Sequence, residues 1–569
     1  MRILKTATIA LALSLASCAT QPARQASTGY DVVIRGGTIY DGSGGAPYKG
    51  DVGIRGDRIV YVGPSLSARG AQEVDARGLA VAPGFINMLS WATESLLADP
   101  RSQSDIHQGV TLEVMGEGWS MGPLNPEMKR TDVERQGDIK FPITWTTLGE
   151  YLDHLERKGI SPNVASFVGA TTVRIHELGE GDVDPNPEQL ARMRTLVRQA
   201  MNEGAMGVGS SLSYAPASFA ETPELAALAT ESAKCGGMYI SHMRDESDHI
   251  DQAIAELIEI ARTSGGPAEI YHLKLAGRSN WGKLPAVVAQ VEAARAAGIR
   301  VTANMYTYTA GATGLDASMP PWVQDGGQEK WIERLKDPAA RARVVKEMRA
   351  PGLGWENLLF QAGSPDKVIL IAFKNPKLKP LTGKTLAEVA EMRGKPPEET
   401  AIDLVIEDGS RVGAAYFLMD EDNVRRQIQI PWLSFASDAS SQAPEGVFLQ
   451  SSTHPRAYGN FARLLGRYVR DEKLIPLEEA VRRLTSFPAA NLNIRDRGSL
   501  KKGHFADLAI FDPATVGDRA TFDNPQRLAV GMRHVFVNGG QVLRDGQHTG
   551  ATPGRFVRGP GWNKCPSGG

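Results

Sequence analysis

Hydrophobic and polar positions follow two rhythms along this chain. From Tyr30 to Gly84 short apolar runs alternate with turn signals. Asp31–Arg35, Gly50–Ile54 and Arg58–Val62 are set apart by Gly-Gly, Asp-Gly and Gly-Asp pairs, the pattern of β-strands joined by tight turns. The same style returns late, with Ala506–Phe511 and Val535–Asn538. Neither end has enough strands to stand alone. The expectation is one small β-sandwich built by residues 30–84 together with 495–559.

Between the ends, short apolar runs alternate with amphipathic stretches. Gly84–Met88, Thr111–Met115, Val164–Gly169, Gly207–Ser210, Met238–His242, Glu269–His272, Arg300–Met305 and Trp432–Ser437 read as strands. Pro187–Asn202, His249–Ser264 and Lys283–Ala297 read as helices. Alternation of this kind predicts an α/β fold, a (β/α)8 barrel over 85–494. The spacing fails once, because about 125 residues separate Met305 from Trp432, far more than one βα connection needs. An inserted lid subdomain over the mouth is expected at about 318–428, with helices at Glu329–Arg349 and Thr385–Met392.

Two of the strand runs end in histidine. His242, within Ile240–Glu246 (ISHMRDE), closes the run Met238–His242, and His272, within Ile270–Lys274 (IYHLK), closes the run Glu269–His272 about thirty residues on. At the C-terminal ends of neighbouring parallel strands both would face one mouth, where barrels of this kind do their chemistry. Either one alone reads as a hydrogen-bonded structural residue; the pair in register reads as a site. Of the other histidines, His454 aside, those at 107, 154, 176, 249, 504, 534 and 548 have no second ligand at a useful spacing. The chain shows no Gly-X-Ser-X-Gly elbow, P-loop or dinucleotide fingerprint.

Composition changes this picture little. With 42% hydrophobic residues, 22% charged residues and a net charge of -2, nothing suggests a nucleic-acid surface. The N-terminus adds more. Arg2 and Lys5 precede an apolar run, Thr6–Ala16, too short to span a bilayer, and Leu15-Ala16-Ser17-Cys18 resembles a lipobox. Residues 1–18 are expected to be a lipoprotein signal with lipidation at Cys18, and 19–29 a tether. Ala19 after that cysteine favours the periplasmic face of a bacterial outer membrane, with membrane contact only through the lipid. Cys235, in the helical stretch Thr222–Gly236, reads as a small core residue. Cys565 lies in a Gly/Pro-rich tail, where pairing stays open but nothing in the sequence supports it, and two cysteines do not make a disulfide framework.

Several motifs together resemble the N-acyl-D-amino-acid deacylases of the amidohydrolase superfamily, over nearly all of Tyr30 to about Gly559. They are Tyr30–Gly42, Val81-Ala-Pro-Gly-Phe-Ile86, Ser241–Glu246, His272-Leu-Lys274, Ser437-Asp438, His454-Pro-Arg456 and Asp496–Asp507. The resemblance implies a metal-dependent barrel acting on an amide of an N-acylated D-amino acid. It also exposes a departure. Such proteins normally carry Asp-X-His-X-His after the first barrel strand, and here the positions read Asn87, Met88, Leu89, Ser90 and Trp91. Neither Leu89 nor Trp91 can ligate zinc. The cysteine that relatives place after the second strand is also missing, and Glu117 is the replacement, with Glu113 a competitor further back.

Glu117, His242 and His272 would then hold one zinc ion and leave a position for water. By the same resemblance Asp438 is the catalytic general base and acid, while Lys274 binds the substrate carboxylate, with Arg456, Tyr306 and Tyr308 as further substrate contacts. Each has a plainer reading: a helix-start carboxylate for Glu117, an N-cap for Asp438, packing for the tyrosines. Hydrolysis of a cyclic amide or dipeptide, or an inactive ligand-binding lipoprotein, stays open at this level.

Overall fold

The structure is a computed structural model and describes residues 29–565; Cys18 and the signal segment lie outside them. The chain opens with β1 (Tyr30–Ile39), β2 (Tyr48–Arg55), β3 (Arg58–Gly63), β4 (Gly70–Asp75) and β5 (Ala80–Pro83). The barrel strands follow: β6 (Phe85–Asn87), β7 (Val110–Met115), β8 (Asn163–Ser166), β9 (Val168–Gly169), β10 (Gly207–Ser211), β11 (Met238–His242), β12 (Ala268–Ile270) and β13 (Val301–Met305). After β14 (Ala310–Gly314), β15 (Val368–Ala372) and β16 (Gly413–Phe417), the barrel resumes with β17 (Leu433–Phe435). The chain then returns to its opening sheet with β18 (Leu508–Phe511), β19 (Met532–Val537), β20 (Gly540–Arg544) and β21 (Gln547–His548).

Both chain ends share one nine-stranded sheet. β18 runs antiparallel to β5, with Leu508 opposite Pro83, and this pairing joins the two ends. β1 has a register irregularity between Ile34 and Gly37, its first half beside β4 and its second beside β5. A strand bent in this way lets the sheet fold over a shared core of Ile34, Val52, Ile54, Leu508, Ile510 and Phe536.

The barrel is a ring of parallel pairs. β6 pairs β7 and β7 pairs β8; β9 continues β8 past Phe167 and pairs β10; the order then runs through β11, β12, β13 and β17. A parallel bridge between Ser90 and Ala439 closes the ring just beyond β6 and β17. Burial on both faces explains why these strands read as unbroken apolar runs rather than alternating ones. Helices Pro187–Glu203, Thr222–Lys234, Ile250–Ser264 and Leu284–Ala296 cover the outside, near their expected bounds.

The insertion starts earlier and ends earlier than expected. β14, β16 and β15 form its own antiparallel sheet, beginning at Ala310, with a separate core of Trp331, Leu335, Val389, Val405 and Tyr416. The helix Glu421–Ile428 belongs instead to the barrel, whose core takes Val424 and Ile428. The expected helix Glu329–Arg349 is two helices, Gln328–Lys336 and Pro338–Met348. Pro338 starts the second, and the Asp337 side chain caps it by accepting from Ala340 N at 2.8 Å.

The two cysteines correct the sequence reading: Cys235 and Cys565 form a disulfide, Cα to Cα 4.9 Å, across 330 positions. The tail is laced back along the barrel before it gets there. Gly559 N donates to Gly204 O, Asn563 N to Asn202 O, and Cys565 N to Asn202 Oδ1 at 3.0 Å. Among the described residues no helix is long and apolar enough to cross a membrane.

Candidate active site

The chemistry gathers at one mouth of the barrel. His242 ends β11, and His272 lies two residues beyond β12; their rings meet edge to face with centroids 4.5 Å apart. Glu117 follows β7 on a Gly116-Glu117-Gly118 turn with positive φ at both glycines. A Cβ on Gly116 would sit 2.3 Å from Phe167 O, and one on Gly118 2.0 Å from Ser211 Oγ. Only glycine allows β7 to swing its next carboxylate this close to the neighbouring strands.

Glu117 Oε1 lies 3.2 Å from His242 Nδ1 and 2.8 Å from His272 Nε2, and all three side chains are buried. Donors around a tetrahedral zinc are spaced by roughly 3.3–3.5 Å, given bonds near 2.0–2.2 Å. The three groups are a carboxylate and two imidazoles with donor atoms within 4.8 Å of one another, so their number, type and spacing suit a divalent cation. Glu113, the competing carboxylate, points elsewhere. It accepts from Asn87 Nδ2 at 3.0 Å and Ser102 Oγ at 3.1 Å, below the mouth.

The nitrogens that face away from Glu117 converge on a residue whose role the sequence reading left unassigned. Glu246 Oε1 lies 3.1 Å from His272 Nδ1, which Lys274 Nζ also approaches to 2.6 Å, and Glu246 Oε2 lies 3.5 Å from His242 Nε2. A carboxylate behind two histidines orients both rings, with His242 Nδ1 and His272 Nε2 turned toward Glu117. Glu246 stands four residues after His242 in the same motif, which was the available signal. Lys274 Nζ donates to Glu246 Oε2 at 2.6 Å. Glu356, from the insertion, brings a further buried carboxyl close to His242 and Glu246.

These charges move one another's protons. Burial alone would raise Glu117, but His272 and His242 outweigh it and hold the carboxyl well below the ordinary range. Glu246 is likewise raised by burial and brought lower overall by Lys274 and the two histidines. Burial and Lys274 push His272 down, but Glu246, Asp438 and Glu117 carry it up to about 9. Burial raises Asp438, Arg456 opposes that, and neighbouring Glu117 adds to it, leaving the group above its usual value.

Asp438 lies three residues beyond β17, with φ +49, and Oδ2 is 4.0 Å from His272 Nε2. His272 also has positive φ, +33. Two non-glycine residues in this sparse region, both at one mouth, mark a backbone shaped for the site. Arg456 Nη1 reaches Asp438 Oδ2 at 2.9 Å, its guanidinium lies 4.5 Å over the Tyr306 ring, and its Nε has no hydrogen-bond partner. Lys274, Arg456 and Tyr306 thus stand together beside the cluster. Tyr308 does not join them: its hydroxyl faces Asp518 at 3.3 Å and its ring packs on His454.

A family description reading "Amidohydrolase family" matches residues 72–543. The chain belongs to the amidohydrolase family. Among its relatives is the D-aminoacylase of Alcaligenes xylosoxydans xylosoxydans, 34% identical over 93% of this chain and 97% of that protein. A solved N-acyl-D-glutamate deacylase from Bordetella bronchiseptica, complexed with zinc and a phosphonate mimic of the tetrahedral intermediate, superposes with a TM-score of 0.76. It is 29% identical and covers 93% of this chain and 100% of that one. A D-aminoacylase structure, described by one-metal activation and second-metal attenuation of a binuclear centre, gives a TM-score of 0.77 at 32% identity, with the same coverage. In this amidohydrolase Leu89 and Trp91 occupy the mouth beside β6. Leu89 is fully buried in an apolar cluster, and the Trp91 indole N–H is turned toward Glu117 and Asp438.

Proposed function

We propose that this amidohydrolase cleaves the amide bond of N-acyl-D-amino acids or closely related N-acylated amino acids, with one zinc ion held by Glu117, His242 and His272. The observation that carries the reading is the convergence of those three groups within reach of Asp438. When bound, zinc would supply Lewis acidity, making water a nucleophile near neutral pH and polarising a carbonyl. The chain's own groups do the rest. Asp438, largely but not wholly withdrawn from solvent and close to His272, takes the proton released as water adds to the amide carbonyl, and delivers one to the leaving nitrogen as the C–N bond breaks. Arg456, with an unspent donor, and Lys274 beside Tyr306 would orient the substrate carboxylate. The D configuration follows from the names of the relatives.

The test is metal analysis of purified protein combined with a panel of matched N-acyl-D- and N-acyl-L-amino acids. About one zinc per chain and D-selective hydrolysis are expected, and Asp438→Asn should lower kcat about 10²–10⁴-fold with metal retained. Absence of tightly bound metal, or an unaffected Asp438→Asn, would sink the reading. Because Leu89 and Trp91 offer no ligands, added zinc should not attenuate activity as a second metal does in the binuclear relative.

We also propose that the chain is exported and anchored through a lipid on Cys18. The Cys235–Cys565 disulfide supports this, since such bonds persist in oxidising compartments. Palmitate labelling lost in Cys18→Ser is the expected result; labelling that survives the substitution would contradict the anchor.

A further inference from the structure

Trp91 stands where the resembling family has its second histidine, yet it is not merely filler. Its Nε1–H points at two carboxylates, Glu117 Oε2 at 3.0 Å and Asp438 Oδ1 at 3.2 Å. An indole has one donor and no acceptor, so this N–H is wholly committed to that pair. The two acids are close enough to repel when both are charged, and a carboxylate largely withdrawn from water needs a hydrogen-bond donor. Each has its other oxygen engaged elsewhere. Glu117 Oε1 faces the histidines and Asp438 Oδ2 faces Arg456. The backbone ties two of the three segments as well: Asp438 N donates to Leu89 O at 2.9 Å, and Trp91 N to Ala439 O at 3.0 Å. The main chains that carry Trp91 and Asp438 are therefore held side by side.

We propose that Trp91 is a positioning residue of a one-metal centre, its shared indole N–H fixing the spacing and orientation of Glu117 and Asp438. By occupying Oε2 it leaves Glu117 only Oε1 to present to the histidines, and by holding Oδ1 it aims the proton carrier at the reacting bond. This rests on reading Glu117 as a ligand and Asp438 as the proton carrier.

The test uses full-length, zinc-loaded protein with Trp91→Phe and with Trp91 replaced by benzothienylalanine. The latter keeps the shape of the indole and puts sulfur in place of N–H, so it decides the matter even if Trp91→Phe folds poorly. Both variants should keep one metal per chain and a KM within about twofold of the parent. Their kcat should fall about 10–100-fold, the size of losing a hydrogen bond to a charged acceptor. The cobalt-loaded forms should show shifted visible absorption bands, because Glu117 is freed to change its binding mode. A benzothienylalanine variant with unchanged kcat and cobalt spectrum would overturn the proposal, as would a loss explained by KM and thermal midpoint alone. Failure of the underlying reading is separately visible: the parent would lack metal, or Asp438→Asn would be fully active.

Discussion

At the scale of single residues, His242 has both ring nitrogens engaged, Nδ1 toward Glu117 and Nε2 toward Glu246. If one metal is all the centre holds, one of its three ligands is not dispensable. His242→Ala is expected to abolish metal binding rather than weaken it, with zinc below about a tenth of an equivalent after dialysis, since three protein ligands are the minimum such sites use. Near-stoichiometric zinc in that variant would contradict the assignment. Glu246 acts one step further out. Glu246→Gln keeps the shape but loses the charge that holds Lys274 and both imidazoles, and should weaken metal affinity about 10–100-fold in a chelator competition. Unchanged affinity would mean the imidazoles are oriented by something else.

At the scale of elements, β7 serves two purposes a few residues apart. Its end swings Glu117 into the mouth, while Glu113 stays inside the barrel among Asn87, Ser102 and Asp105. Burial raises Glu113 to about 7. A carboxyl that ionises near 4.5 when unfolded and near 7 when folded costs stability as pH climbs through that window. Below it both states are protonated, and above it the cost is constant. Glu113→Gln should therefore gain thermal stability relative to the parent as pH rises from about 4.5 to 7. A stability difference that stays flat across that range would show that Glu113 is ionised in the fold.

At the scale of the whole molecule, the tail closes a long covalent loop through Cys235 and Cys565. Cys565→Ser should cost about 2–4 kcal/mol of stability, read as a lower unfolding midpoint, with kcat/KM at 25 °C unchanged, because Cys235 precedes the start of β11 while His242 stands at the other end of that strand. An unchanged midpoint would mean the backbone bonds of the tail suffice to hold it. The inserted unit is the second large-scale feature. It has its own core, yet Glu356 carries it into the charge cluster at the barrel mouth.

The chain's periodicities were enough for the barrel, for the shared sheet of the two ends, and for His242, His272 and Asp438 as strand-end residues. Strand runs and turn residues are local signals, and a parallel barrel puts all its strand ends at one mouth. The family resemblance also marked Glu117, as the carboxylate that replaces the relatives' cysteine. Tertiary structure decided the rest, because those features depend on residues far apart in the chain. The insertion's limits followed from which core each segment packs into, not from spacing. The disulfide needed the tail to run back over 330 positions. Glu246 as the carboxylate behind both histidines, Tyr308 turned toward Asp518, and Trp91 shared between Glu117 and Asp438 are contacts across different barrel strands and loops. No periodicity along one strand encodes where a side chain on another will point.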